Sequence, residues 1–199
     1  MATYIIDIET KPNEDLSALF NADIKAPSNY KDEEKIRAYI EKAKADSVKK
    51  MSTSTHYSSI DMVGVKILNG QPQILCFERF AEILQDDQNA RFITYNGKSF
   101  DIPVIIMNGM YLNIDLPYEK LYQMTKRWVR HEHIDLMELL CFGNYMSLDK
   151  LAQIYLGERK EEIDFETVSK AELEQHCIAD LELTEKLYEK FEQIATFTS

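Results

Sequence analysis

The chain has 199 residues, 45% of them hydrophobic and 11% aromatic, with a formal net charge of −11, enough apolar material for one full core and a single domain over residues 1–199. No stretch approaches the roughly 18 uninterrupted apolar residues of a membrane helix, and MATYIIDIET lacks the charged start and apolar run of a secretory signal. Three cysteines, Cys76, Cys141 and Cys177, without CxxC spacing, exclude a disulfide framework and a structural zinc site. The expectation is a soluble, intracellular, cytoplasmic protein with no membrane partner.

In chain order, residues 3–9 predict a strand. Residues 11–59 then contain two prolines and a charged segment, DEEKIRAYIEKAKADSVKKM, whose apolar positions 36, 39, 40, 43 and 51 suit one amphipathic helix. Asp32, Glu33 and Glu34 at its start and Lys49 and Lys50 at its end complement the helix dipole. STSTHYSS at 52–59 is its expected flexible return, and 11–59 as a whole is a helical insertion after strand 1. Residues 60–68 and 73–78, joined through Asn69, Gly70, Gln71 and Pro72, predict a hairpin. A short helix at 79–86, a strand at 91–96, Gly97 and a helix over about 100–111 follow. The second half predicts helices at about 134–142, 147–156 and 169–195, with Ser147 and Ser169 as N-caps and Glu172 completing a capping box. The sum is an α/β fold, a mixed sheet of antiparallel first strands and parallel later ones flanked by helices.

YIIDIET at 4–10 raises the chemical question, because it sets two acids in a hydrophobic strand. Alternation puts Tyr4, Ile6 and Ile8 on one face and Ile5, Asp7 and Glu9 on the other, the two acids about 7 Å apart. Two carboxylates on one half-buried face repel each other and resist desolvation, so a positive group belongs beside them, unless the strand end has simply reached solvent. In the last helix an apolar stripe through Leu173, Cys177, Leu187 and Phe191 includes Asp180, with His176 one turn earlier. That pair is either functional or a buried Asp–His hydrogen bond. Asp101, in NGKSFDIP at 96–103, stands in a first helical turn, where capping is the plain alternative. Four carboxylates from three segments, Asp7, Glu9, Asp101 and Asp180, are what a pair of Mg²⁺ ions requires to hydrolyse a phosphodiester, and His176 suits the proton acceptor.

The segments DIET at 7–10, YNGKSFDIP at 95–103 and HCIADLELTEKLY at 176–188 resemble the three motifs of the DEDD (DnaQ-like) 3′-to-5′ exonucleases of the RNase H-like superfamily. The resemblance is closest to exonuclease domains related to family B DNA polymerases, and it runs over almost the whole chain. HIDLMELL at 133–140 and SLDKLAQIYLG at 147–157 look like the connection between the second and third motifs. The resemblance implies an RNase H-like mixed sheet, two Mg²⁺ or Mn²⁺ ions, and release of nucleoside monophosphates from the 3′ end of single-stranded DNA or frayed DNA ends. It also implies Asp7, Glu9, Asp101 and Asp180 as metal ligands, with Asp7 bridging. Thr10 and Asn96 would hold the terminal nucleotide and Phe100 would pack beside it. The third motif departs from the pattern: the family carries YxxxD or HxxxxD, whereas HxxxD here puts His176 in the register of the tyrosine subclass.

RNA or short oligonucleotides are the alternative substrates, and a catalytically silent nucleic-acid-binding module is the alternative class. The insertion at 11–59 exceeds what a minimal exonuclease needs, and the remaining length leaves no room for a polymerase or helicase segment. The expectation is a stand-alone enzyme or a subunit supplied to a replication or repair partner. His131 and His133 form an HxH pair without further zinc ligands. Lys120, Lys126, Arg127 and Arg130 cluster against the acidic balance of the chain, and with Tyr122 and Trp128 they either contact bases and phosphates or anchor a loop to the core.

Overall fold

The computed structural model describes residues 2–22, 24–160, 163–165 and 167–195. Five strands form one sheet: β1 (Thr3–Pro12), β2 (Ser58–Ile67), β3 (Pro72–Leu75), β4 (Arg91–Thr94) and β5 (His133–Asp135), in the order β3-β2-β1-β4-β5. The helices are α1 (Ser17–Ala22), α2 (Glu33–Ala45), α3 (Ser47–Ser52), α4 (Phe77–Asp86), α5 (Asp101–Leu112), α6 (Tyr118–Met124), α7 (Leu136–Leu140), α8 (Leu148–Tyr155) and α9 (Lys170–Glu192). β1 is central, antiparallel to β2 and parallel to β4, and β4 is parallel to β5. The expected mixed sheet, with an antiparallel start and a parallel continuation, is present.

Alternation along β1 divides the core as the residues require. Ile6 and Ile8 join Phe80, Leu84, Phe92, Ile102 and Leu121 on one face, under α4, α5 and α6. Ile5 joins Ile93, Ile134, Leu151, Leu181 and Leu187 on the other, under α7, α8 and α9. Asp7 and Glu9 share the Ile5 face, so α9 lies directly over them. Burying five such apolar side chains on each face is worth about 10 kcal/mol before entropy is charged against it. That burial holds the acids against α9.

The close fit of α9 on the sheet depends on one glycine. Gly64 pairs with Asp7 across β1 and β2, and a Cβ there would stand 2.5 Å from Cys177 Sγ and 3.0 Å from a Leu181 methyl. No side chain fits in that space. At the far end, the capping box of α9 is formed: Ser169 Oγ accepts from Glu172 N, and the Glu172 carboxylate accepts from Ser169 N.

The sequence expectation misses α6, takes Phe77 and Glu78 at the start of α4 for strand, and fails further in three places. The insertion does not contain one long helix: β1 continues to Pro12, a 3₁₀ turn spans Glu14–Leu16, and α1, α2 and α3 follow separately. The break between α2 and α3 lies at Asp46, where the Ser47 hydroxyl donates to Lys44 O (2.6 Å) and competes with the helical ladder. Of the expected apolar stripe only Met51 is buried, against β1, and α2 buries nothing. The return at 52–59 already contains the first residues of β2, fixed by Asn108, whose side chain donates to Ser58 O and accepts from Ile60 N. The helix expected from 134 begins at Leu136, because His133–Asp135 pairs with β4 as a fifth strand and Asp135 caps the helix.

Candidate active site

Three elements converge where β1 leaves the middle of the sheet. β1 presents Asp7 and Glu9 and then bulges between Glu9 and Thr10. The turn after β4 places Asn96 at φ +66° and brings Gly97 so close to Thr94 that a Cβ would lie 2.3 Å from its Oγ1. Asp135 fixes this turn by accepting from Asn96 N and Lys98 N (2.9 Å each), so that α5 starts with Asp101 directed inward. Asp101 is 4% exposed, and its carboxylate takes backbone hydrogen bonds from its own N–H and that of Ile8. α9 closes the site with His176, Cys177 and Asp180.

Asp7, Glu9, Asn96, Phe100, Asp101, His176 and Asp180 all line one open cleft of about 630 Å³. The four acids named from the sequence are thus brought together. Thr10 is not among the lining residues; its hydroxyl donates to Ser52 O (2.6 Å) and ties the end of β1 to α3. A larger groove of about 770 Å³ continues along α9, sharing Lys160, Ile163 and His176 with the cleft but none of the four acids.

The charges in the cleft are crowded. Burial first, then the neighbouring carboxylates of Asp180, Asp101 and Glu9, push the Asp7 carboxyl well above its ordinary range. Burial and Asp180 raise Glu9 to about 7, and burial raises Asp101 to about 7 against its backbone hydrogen bonds. Asp180 Oδ1 is buried without a hydrogen-bond partner. His176 Nε2 stands 3.9 Å from Asp180 Oδ2, with its ring edge-on to Phe165. Burial, followed by the Lys160 ammonium, holds this imidazole below its ordinary value, so it is neutral near pH 7.

Two residues at the acids were not singled out from the sequence. Lys160 Nζ donates to Asp180 Oδ2 (2.5 Å), and its own N–H is fixed by Asp149 Oδ1 (2.8 Å). It stands in the charged run GERKEEID, where nothing in the pattern separates it from a solvated lysine. Cys177, fully buried, donates its thiol to Asp7 Oδ2 (3.7 Å). A cysteine in an apolar helical stripe looks like ordinary core, and only its packing on Gly64 puts it beside an acid.

The donor set fits hard divalent cations. Every candidate ligand among the four acids is a carboxylate oxygen, one is orphaned, and mutual repulsion leaves the group short of positive charge that a single lysine does not supply. One ligand atom each from Asp7, Glu9 and Cys177 already lies within 4.8 Å of the others.

Other residues resolve differently. His133 is buried between Thr94 Oγ1 and Met124 O (2.8 Å each), with burial lowering it to about 4, whereas His131 is exposed, so the HxH pair shares no site. Among the described residues, no helix is long and apolar enough to cross a membrane.

The chain shares 14% sequence identity with the family B DNA polymerase of the hyperthermophilic archaeon Pyrobaculum calidifontis, at a TM-score of 0.59 over 96% of this chain. It spans 24% of that polymerase, and at this identity the likeness establishes the fold, an RNase H-like mixed sheet. No curated protein matches the sequence. A family model described as a predicted 3′-5′ exonuclease related to the exonuclease domain of PolB matches residues 33–194. With most of its length so matched, and four acids gathered over its central strand, the chain belongs to this family of predicted PolB-related 3′-5′ exonucleases.

Proposed function

We propose that residues 1–199 act as one metal-dependent exonuclease that removes nucleoside monophosphates from the 3′ end of single-stranded DNA or frayed DNA ends. The observation that carries this reading is the convergence of Asp7, Glu9, Asp101 and Asp180 in one open cleft, with no cation but Lys160 among the described residues lining it. Two Mg²⁺ or Mn²⁺ ions held by those four carboxylates would neutralise the scissile phosphate and lower the pKa of the attacking water.

The residues of the chain account for the remaining requirements. Neutral His176, facing the cleft, accepts a proton from the water whose oxygen attacks phosphorus; the bond to the 3′ oxygen of the preceding nucleotide breaks and that oxygen takes a proton from solvent, leaving a 5′-monophosphate and a new 3′ hydroxyl. HxxxD spacing keeps the imidazole one turn from Asp180, near enough to share its orientation. Lys160 places an ammonium against the phosphate once the acids are otherwise engaged. Phe100 and Asn96 line the side of the cleft nearest α5, where the terminal nucleotide would rest.

The test is a time course on 5′-labelled single-stranded DNA and RNA of equal sequence, with Mg²⁺, Mn²⁺ or EDTA. The expected result is a metal-dependent ladder shortening from the 3′ end, on DNA before RNA, lost in Asp7→Ala and slowed in His176→Ala. Activity surviving Asp7→Ala in a clean preparation would refute the site. A stronger ladder on RNA would make the enzyme an exoribonuclease or oligonucleotidase, and strand binding without any cleavage would make it a silent module.

A further inference from the structure

The basic, aromatic loop before β5 is left unexplained by the cleft. Its sequence is Lys126-Arg127-Trp128-Val129-Arg130, three cations in five residues of a chain whose net charge is −11. Trp128 does not anchor this loop to the core: it is 78% exposed. Its φ of +103° is a conformation that a bulky side chain adopts only under constraint from its surroundings.

The constraint is a buried lysine. Lys98 Nζ donates to Lys126 O and to Val129 O (3.0 Å each), clamping the backbone on either side of Arg127-Trp128, and pairs with Glu138 Oε2 (2.6 Å). Lys98 belongs to the turn that positions Asn96 and Asp101, and its own N–H is held by Asp135. The loop is therefore fastened to the same turn as the acid cleft. Between them lies a smaller hollow of about 350 Å³, lined by Lys98, Ser99, Arg127 and Tyr145 among others; Tyr145, itself 78% exposed, also lines the acid cleft. The two depressions meet at Tyr145, which lines both.

An exposed ring held in a strained conformation among cations, beside a cleft open to a chain end, has the chemistry of a stacking platform for unpaired bases. We propose that the 126–130 loop is a docking surface for single-stranded nucleic acid, with Trp128 stacking on a base and Arg127 and Arg130 meeting phosphates upstream of the 3′ end. This rests on the exonuclease reading above and adds to it the path of the strand. A duplex would offer the ring no free base face.

Trp128 is the single tryptophan of the chain, so intrinsic tryptophan fluorescence reports on this position alone. The Asp7→Ala protein, with its fold verified by circular dichroism, is titrated with 5′-labelled thymidylate oligomers of about four, eight and twelve nucleotides, following tryptophan emission and label anisotropy together. The expected result is saturable quenching that grows from the shortest oligomer to the longest. Trp128→Ala in the same background should weaken oligomer binding about tenfold and Trp128→Phe less, and with Asp7 intact Trp128→Ala should leave Mn²⁺ binding unchanged. Arg127→Ala should flatten the dependence of log affinity on log salt by about 0.7. Oligomers that bind by anisotropy while leaving the emission and the Trp128→Ala affinity unchanged would overturn the docking surface and leave the exonuclease standing. Failure of any oligomer to bind, with Mn²⁺ present or absent, would overturn both.

Discussion

Two acids of α9 face the sheet, and they meet opposite conditions. Glu185 is a structural group: Lys66 Nζ pairs with its Oε2 and Asn69 N donates to its Oε1 (2.7 Å), so both oxygens are satisfied. Asp180, little more than one turn earlier, also meets a lysine through Oδ2, but its Oδ1 is orphaned and Asp7 and Glu9 crowd it. Burial alone does not separate them, since the side chains are 11% and 14% exposed. The difference lies in balance. Glu185 pairs its charge one to one, while the surroundings of Asp180 accumulate negative charge that folding by itself has no reason to collect.

This contrast can be broken by removing each charge in turn. Asp180→Asn should reduce hydrolysis about a thousandfold, equivalent to roughly 4 kcal/mol of transition-state stabilisation, measured as kcat on labelled DNA. The same variant should melt no lower than the parent protein when metal is absent. Glu185→Ala should do the reverse, costing about 3 kcal/mol of stability in denaturant titration because Lys66 is left buried and unpaired, with kcat per folded molecule unchanged. If Glu185→Ala abolished hydrolysis in the folded fraction, or Asp180→Asn unfolded the protein, the division between the two acids would not hold.

The spacing between α9 and the sheet sharpens the comparison. Gly64→Ala should cost about 2 kcal/mol through overpacking against Cys177 and should also lower kcat, because α9 carries Asp180 with it. Adding Cys177→Ala should restore much of both in thermal melts and cleavage assays, since Sγ is the nearest atom to the new methyl. The crowding of acids also makes stability depend on pH. Glu9 and Asp101 titrate near 7 in the folded protein against ordinary values of 4.5 and 3.8, so the folded state holds protons that the unfolded chain has released. Their stability contribution is complete below about pH 4 and is lost as pH rises through about 7. The melting temperature of metal-free protein should fall between about pH 5 and pH 8, and Mn²⁺ should remove most of that slope.

Much of this was legible in the residues because local rules agree with the global fold. The 2-residue period of β1 assigns Asp7 and Glu9 to the Ile5 face, the 3.6-residue period of α9 assigns Asp180 and His176 inward, and Ser169 with Glu172 announces the start of that helix. The short fifth strand was not legible: three residues carry no usable period, and His133–Asp135 is a strand only because β4 lies beside it. The insertion misled for a related reason, since its apolar positions suggest a buried stripe while α2 finds almost nothing to bury against.

By itself the sequence determined which acids exist, which face of its element each occupies and the order of the motifs along the chain, all consequences of backbone periodicity. Only the tertiary structure decided that those faces meet at one point, that Lys160 and Cys177 stand among them, that Thr10 is engaged with Ser52 instead, and that Lys98 holds Trp128 out into solvent. These are contacts between residues separated by up to 170 positions, fixed by packing at Gly64 and by the two core faces of the sheet, and no local pattern encodes them.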